Sequence, residues 1–171
     1  NTGTVDLLIT ADDYANDTCR VTLTPSGFII PTSDITTTSF SRNTAVSVSL
    51  QRLNVVTNPP GFAAAGAQGL RAGKTVSVTL SSSDETVGTI VNPTLTFNPT
   101  DSSKGAAFDP VGGGTATISA SQPAGFEASP SLRQSISATV TAPAITLFDQ
   151  TIGKDLQIST SGSLGAPVPS G

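Results

Sequence analysis

Histidine, methionine and tryptophan are absent from these 171 residues, and cysteine occurs once. Without histidine the commonest general base and the Ser-His nucleophile pair are unavailable. One cysteine and no histidine cannot assemble a zinc site of the usual kind. A lone cysteine also excludes an intramolecular disulfide framework, so the fold must hold by packing alone. The single Cys19 is expected to be a small buried hydrophobe in a strand, with an intermolecular bridge or reactive thiol as the alternative. Charge is scarce as well, at 12% of residues and a net −4. The eight cations are scattered singly along the sequence, with no basic stripe to track phosphates, so nucleic acid is not an expected partner. No apolar run approaches the ~20 residues of a membrane helix, and membrane insertion is not expected. With no methionine, the chain starting at Asn1 is expected to be a processed or partial product.

What remains is rich in Thr, Ser, Val and Gly, a mixture suited to pleated, half-buried surfaces. Period-2 alternation recurs in Thr4–Thr10, Arg20–Thr24, Ala45–Leu50, Thr75–Leu80, Thr115–Ala120 and Ser135–Thr141. Each run has one aliphatic face and one Ser/Thr face, the pattern of antiparallel strands with a core side and a water side. Pro, Gly, Asn and Asp clusters separate them. No helix is expected; the Ala-rich stretch Phe62–Ala67 is short and followed by Gly69 and Gly73.

Internal similarity sharpens the picture. Pro-x-Gly-Phe recurs at Pro25–Phe28, Pro59–Phe62 and Pro123–Phe126. Its Pro and Gly suit a turn, and its Phe is expected to plug a sandwich end. Gly3–Pro25 and Gly114–Pro143 both read strand, aromatic-containing polar loop, strand, Pro. Phe28–Leu50 and Ala144–Leu164 both open on apolar residues, pass an Asp-containing bend and resume. These echoes divide the chain into a closing hairpin (1–27), one complete unit (28–142) and the opening strands of another (143–171). The complete unit has the size of a sandwich of ~100 residues.

Four segments carry a family resemblance: Gly73–Asp84, Val87–Ile90, Leu95–Pro99 and Gly113–Ala120. Through them the chain resembles bacterial immunoglobulin-like (Big-type) tandem repeat domains of secreted and cell-surface proteins. The resemblance implies an all-β immunoglobulin-like antiparallel sandwich, an extracellular or cell-surface setting, and a multidomain array. Such domains serve as spacers, adhesin stalks, enzyme accessories and fibre subunits, so the fold does not choose among roles.

The chemistry-bearing residues are few. Asp84-Glu85 sits in a Ser-rich turn and is expected to be solvated turn chemistry rather than a catalytic pair. Gly112-Gly113-Gly114 lacks the Lys-Ser/Thr ending of a phosphate loop. The loop Asp12-Asp13-Tyr14-Ala15-Asn16-Asp17 offers carboxylates of Asp12, Asp13 and Asp17 to a calcium ion, although Asx-rich hairpin loops arise for turn reasons alone. Asn16-Asp17-Thr18 is a formal glycosylation sequon, relevant only in a source that glycosylates. An isopeptide role for Lys74, Lys104 or Lys154 has no local support. No catalysis and no cofactor are expected, calcium being the exception considered.

The expectation is therefore a non-catalytic structural repeat, a spacer or stalk whose partners are neighbouring copies or domains of the same protein. A head-to-tail filament subunit joined by strand complementation and an adhesin or carbohydrate-binding module are the alternatives. Few aromatics argue against the last. Residues expected to mediate assembly are Val5, Leu7, Ile9, Val21 and Leu23 on one flank, and Ile145, Leu147, Ile152, Leu156 and Ile158 on the other.

Overall fold

A computed structural model describes residues 2–129 and 131–165. Among them every regular element is a strand: β1 Gly3–Ile9, β2 Asp17–Leu23, β3 Ser26–Ile29, β4 Ile35–Thr38, β5 Thr44–Thr57, β6 Pro60–Ala67, β7 Val76–Ser82, β8 Gly88–Val91, β9 Thr94–Phe97, β10 Ser103–Pro110, β11 Gly114–Ala120, β12 Ser135–Thr141, β13 Ile145–Leu147 and β14 Gly162–Leu164. No helix among the described residues is long and apolar enough to cross a membrane.

Two five-stranded sheets form the body. One runs β3-β5-β10-β8, with β6 joined to β5; the other runs β4-β12-β11-β7-β9. Both draw their strands from Ser26 to Thr141. Pairing is antiparallel except where β4 lies parallel to β12, Ile35 opposite Ala138. The chain crosses repeatedly between the two sheets, keeping to one sheet only from β5 to β6 and from β11 to β12. The crossing from β8 to β9 occurs at Asn92-Pro93, where Asn92 takes a positive φ of 57°, a conformation Asn tolerates better than most residues.

The inward faces explain the fold. Val76, Val78 and Leu80 on β7, Ala116 and Ile118 on β11, and Ile136, Ala138 and Val140 on β12 are buried, and the residues between them are Ser or Thr. Val46, Val48 and Leu50 of β5 with Phe108 of β10 supply the opposing face. Phe28, Phe97 and Phe108 are fully buried, and each such side chain contributes about 1.5–3 kcal/mol through removal from water. Among the described residues no buried side-chain polar atom lacks a hydrogen-bond partner.

The Pro-x-Gly-Phe motifs divide. The first and third meet: Glu127 N–H donates to Ser26 C=O at 2.8 Å, and the Phe28 and Phe126 rings lie 4.8 Å apart. Phe28 also packs on Phe97 at 4.9 Å. Gly27 is required at this meeting, because a Cβ there would stand 2.9 Å from the Glu127 carbonyl oxygen. The second motif lies elsewhere and opens β6, which forms a long hairpin with the 14-residue β5.

Outside the body stand two small sheets, β1-β2 and β13-β14. Residues 166–171 of the expected opening strands fall outside the described residues.

Candidate functional site

The β1–β2 hairpin pairs Gly3 with Leu23, Val5 with Val21, Leu7 with Cys19 and Ile9 with Asp17. Directly opposed residues share a face, so Val5, Leu7, Cys19, Val21 and Leu23 form one contiguous apolar surface. The other face carries Thr4 opposite Thr22, and Asp6 opposite Arg20. Arg20 grips the Asp6 carboxylate with Nε and Nη2, at 2.8 and 3.2 Å. That contact holds the Asp6 carboxyl below, and the Arg20 guanidinium above, its usual range. The apolar surface is open to solvent, with Val5 47%, Leu7 50% and Leu23 49% exposed.

The β11–β12 hairpin is built on the same plan. Gly114 faces Val140, Ala116 faces Ala138 and Ile118 faces Ile136, while Thr115 and Thr117 face Thr139 and Ser137. In both hairpins a glycine opposes an aliphatic residue and two aliphatic or small pairs follow at alternate positions. One difference separates them: Ile118 and Ile136 are buried beneath the other sheet, whereas Leu7 and Val21 are exposed among the described residues. The first hairpin presents its apolar face to solvent.

Cys19 departs from expectation. It lies in a strand but is exposed, because the apolar face to which it belongs is uncovered. Asp12, Asp13 and Asp17 are exposed around the β1–β2 turn, where Asp13 takes a positive φ of 66°. The Asp17 carboxylate accepts from the Thr18 N–H at 2.8 Å. Among the described residues no three His, Cys, Asp or Glu side chains group as for a metal ion, so the three aspartates are placed along one turn without converging.

On the opposite flank Ile145 and Leu147 lie in β13, paired with Leu164 and Gly162, and are 72% and 70% exposed. Ile152, Leu156 and Ile158 lie in the connection to β14, outside any strand, and are exposed. Asp84 behaves as turn chemistry: its carboxylate accepts from the Thr86 hydroxyl at 2.6 Å and the Thr86 N–H at 2.9 Å, which lower its pKa. Gly114 of the triple-glycine run opens β11 rather than a helix.

Sequence reasoning missed a cleft of about 490 Å³ bounded by β5, the β6–β7 loop, the foot of β2 and the loop before β12. Of its cations, Arg71 and Lys74 are near neighbours on the β6–β7 loop, and Arg52 stands apart on β5. The β5–β6 hairpin brings them together: Gln51 pairs with Ala67, and Gln68 N–H donates to Leu50 C=O at 3.1 Å, so the loop bearing Arg71 and Lys74 starts beside Arg52.

These features define an all-β, two-sheet sandwich with uncovered flanking hairpins. No protein-family model matches the chain, and no curated protein matches it in sequence. The bacterial immunoglobulin-like resemblance is thus left without a family assignment. Among solved structures, domains 4 and 5 of the S-layer protein SbsC share a TM-score of 0.42 at 12% identity, over 82% of this chain and 66% of that one. A structure of surface layer protein SbsC, domains 4–9, gives 0.42 at 12% identity, over 86% of this chain and 20% of that one. Likeness at that depth sets neither function nor partner.

Proposed function

We propose that the chain is a non-catalytic structural repeat of a secreted or cell-surface protein, one complete immunoglobulin-like sandwich flanked by parts of neighbouring units and acting as a spacer. The observation that carries this reading is the shared plan of the β1–β2 and β11–β12 hairpins, one uncovered and one buried. A two-stranded hairpin is marginal by itself in water, and an open apolar face invites a covering sheet. A tandem array supplies that sheet from an adjacent unit. The low charge and the lack of histidine suit a stiff, inert module, and no cofactor is required.

The reading is tested by immunogold labelling of intact source cells with antibodies raised against this chain. Label on the outer surface, removed by protease shaving, is the expected result. Label confined to the cell interior overturns it.

A second reading, a filament subunit joined by strand complementation, draws on the exposed apolar residues of both flanks, Val5, Leu7 and Ile9 at one and Ile145 and Leu147 at the other. Unpaired strand edges are templates for addition of another strand.

A further inference from the structure

Arg52, Arg71 and Lys74 line a single cleft of about 490 Å³ and are three of the eight cations in a chain of net charge −4. Among the described residues no Asp or Glu lines it. The Arg52 guanidinium is steadied by bonds to the Asn54 side-chain oxygen and the Ala65 carbonyl, at 3.3 and 2.8 Å. Arg71 and Lys74 are exposed, and the ion pairs among the described residues use Arg20, Lys104 and Arg133 instead. Beneath the cations the lining turns apolar, with buried Leu50 and Leu70 and half-buried Phe126. A positive rim over an apolar floor selects a group that joins negative charge to a ring or aliphatic surface. The volume lies within the roughly 300–1,000 Å³ typical of ligand clefts.

The chain itself displays that combination. In the β1–β2 turn, Tyr14 is 79% exposed, the only tyrosine present. Asp12, Asp13 and Asp17 flank it in sequence along the turn, and none of them enters an ion pair among the described residues. A turn cannot reach the cleft of its own chain. The cleft touches Leu23 and Thr24 at the foot of β2, and the turn sits beyond the seven residues of that strand, about 23 Å away at ~3.3 Å per residue.

We propose that the Asp12–Asp17 turn of one copy docks in the Arg52–Arg71–Lys74 cleft of the next. Tyr14 enters over Phe126 and Leu70, while Asp12 and Asp13 meet Arg71 and Lys74. Tyrosine and arginine are the residue types that most often anchor interfaces, and opposed charge fixes the register. Because the two patches differ, the contact is heterologous and propagates head to tail. This goes beyond the spacer reading, which a chain that never self-associates would still satisfy.

The test is light scattering of the full chain from micromolar to millimolar concentration, in low and high salt, with two charge-reversed variants. Asp12→Lys/Asp13→Lys makes the turn basic, and Arg71→Glu/Lys74→Glu makes the cleft acidic. All four positions are exposed, and circular dichroism verifies that both variants fold. Wild type is expected to associate with rising concentration, and less so in high salt. Each variant alone is expected to lose association by about tenfold or more. Mixing the two restores it, since every turn then meets a cleft of opposite sign. A wild type that stays monomeric throughout, variants that associate as wild type does, or a mixture no better than its parts overturns the proposal. Tyr14→Ala supplies an uncharged check and is expected to weaken association without altering its salt dependence.

Discussion

At the scale of single residues, the chain places polar chemistry at turns and lets packing fill the rest. Asp101 illustrates the first. Its carboxylate takes a bond from the Lys104 ammonium at 2.8 Å and another from the Asn98 N–H at 2.8 Å, and both lower its pKa below the ordinary 3.8. The native state therefore binds fewer protons than the unfolded chain, so this stabilisation is full above the unfolded value and fades as pH falls through the folded one. Asp101→Asn is expected to flatten the acid limb of a urea-midpoint profile below about pH 5; an unchanged limb contradicts that assignment. Gly88 illustrates packing. A Cβ there would overlap the Phe108 ring, so Gly88→Ala is expected to cost roughly 1–3 kcal/mol by overpacking, read from chemical denaturation. Cys19 is exposed on β2, and a thiol reagent is expected to label it fully in the folded chain. Its burial was expected from residue type alone, and type says nothing about whether a covering sheet is present.

Elements were legible where one face is wet. Ser135–Thr141 reads as a strand in sequence and is one in the structure, with Ile136, Ala138 and Val140 inward. Others escaped, among them β10, whose Ser103–Pro110 matches none of the alternating runs. β5 continues seven residues past Leu50 to Thr57, and β6 occupies the Ala-rich stretch that reads as neither helix nor strand. Beyond Leu53 this hairpin is largely exposed, so alternation, which records a buried face, has little to record there. Gln122 also passed unnoticed. Its side-chain amide accepts from Phe28 N–H and donates to Phe28 C=O, both at 3.0 Å, standing in for a neighbouring strand along β3. The paired hairpins give the sharpest contrast in consequence. Ile118→Ala empties a fully buried position and is expected to cost about 2–5 kcal/mol. Leu7→Ala, at the equivalent place on the open hairpin, is expected to stay within about 0.5 kcal/mol in dilute solution. Equal losses in thermal or urea unfolding would contradict the idea that one hairpin is covered and the other is not.

For the whole molecule, the repeated hairpin plan and the two-sheet core are the observations on which the proposed spacer role rests. The sandwich body was readable because its core alternates with Ser and Thr over many strands. The cleft was not, because Arg52 meets Arg71 and Lys74 only once β6, an element that alternation does not reveal, folds back along β5. The flanking residues were legible as apolar faces, yet Ile152, Leu156 and Ile158 take no strand; the Gly, Asp and Gln among them fit a loop equally well. The central claim is that β1–β2 is an uncovered copy of β11–β12. Amide hydrogen exchange on the dilute 171-residue chain tests it most directly. Amides of β11 and β12 are expected to exchange only by global unfolding, and those of β1 and β2 near open-chain rates, as befits a hairpin without a covering sheet. Protection of β1 and β2 equal to that of β11 and β12 in the dilute chain would contradict it.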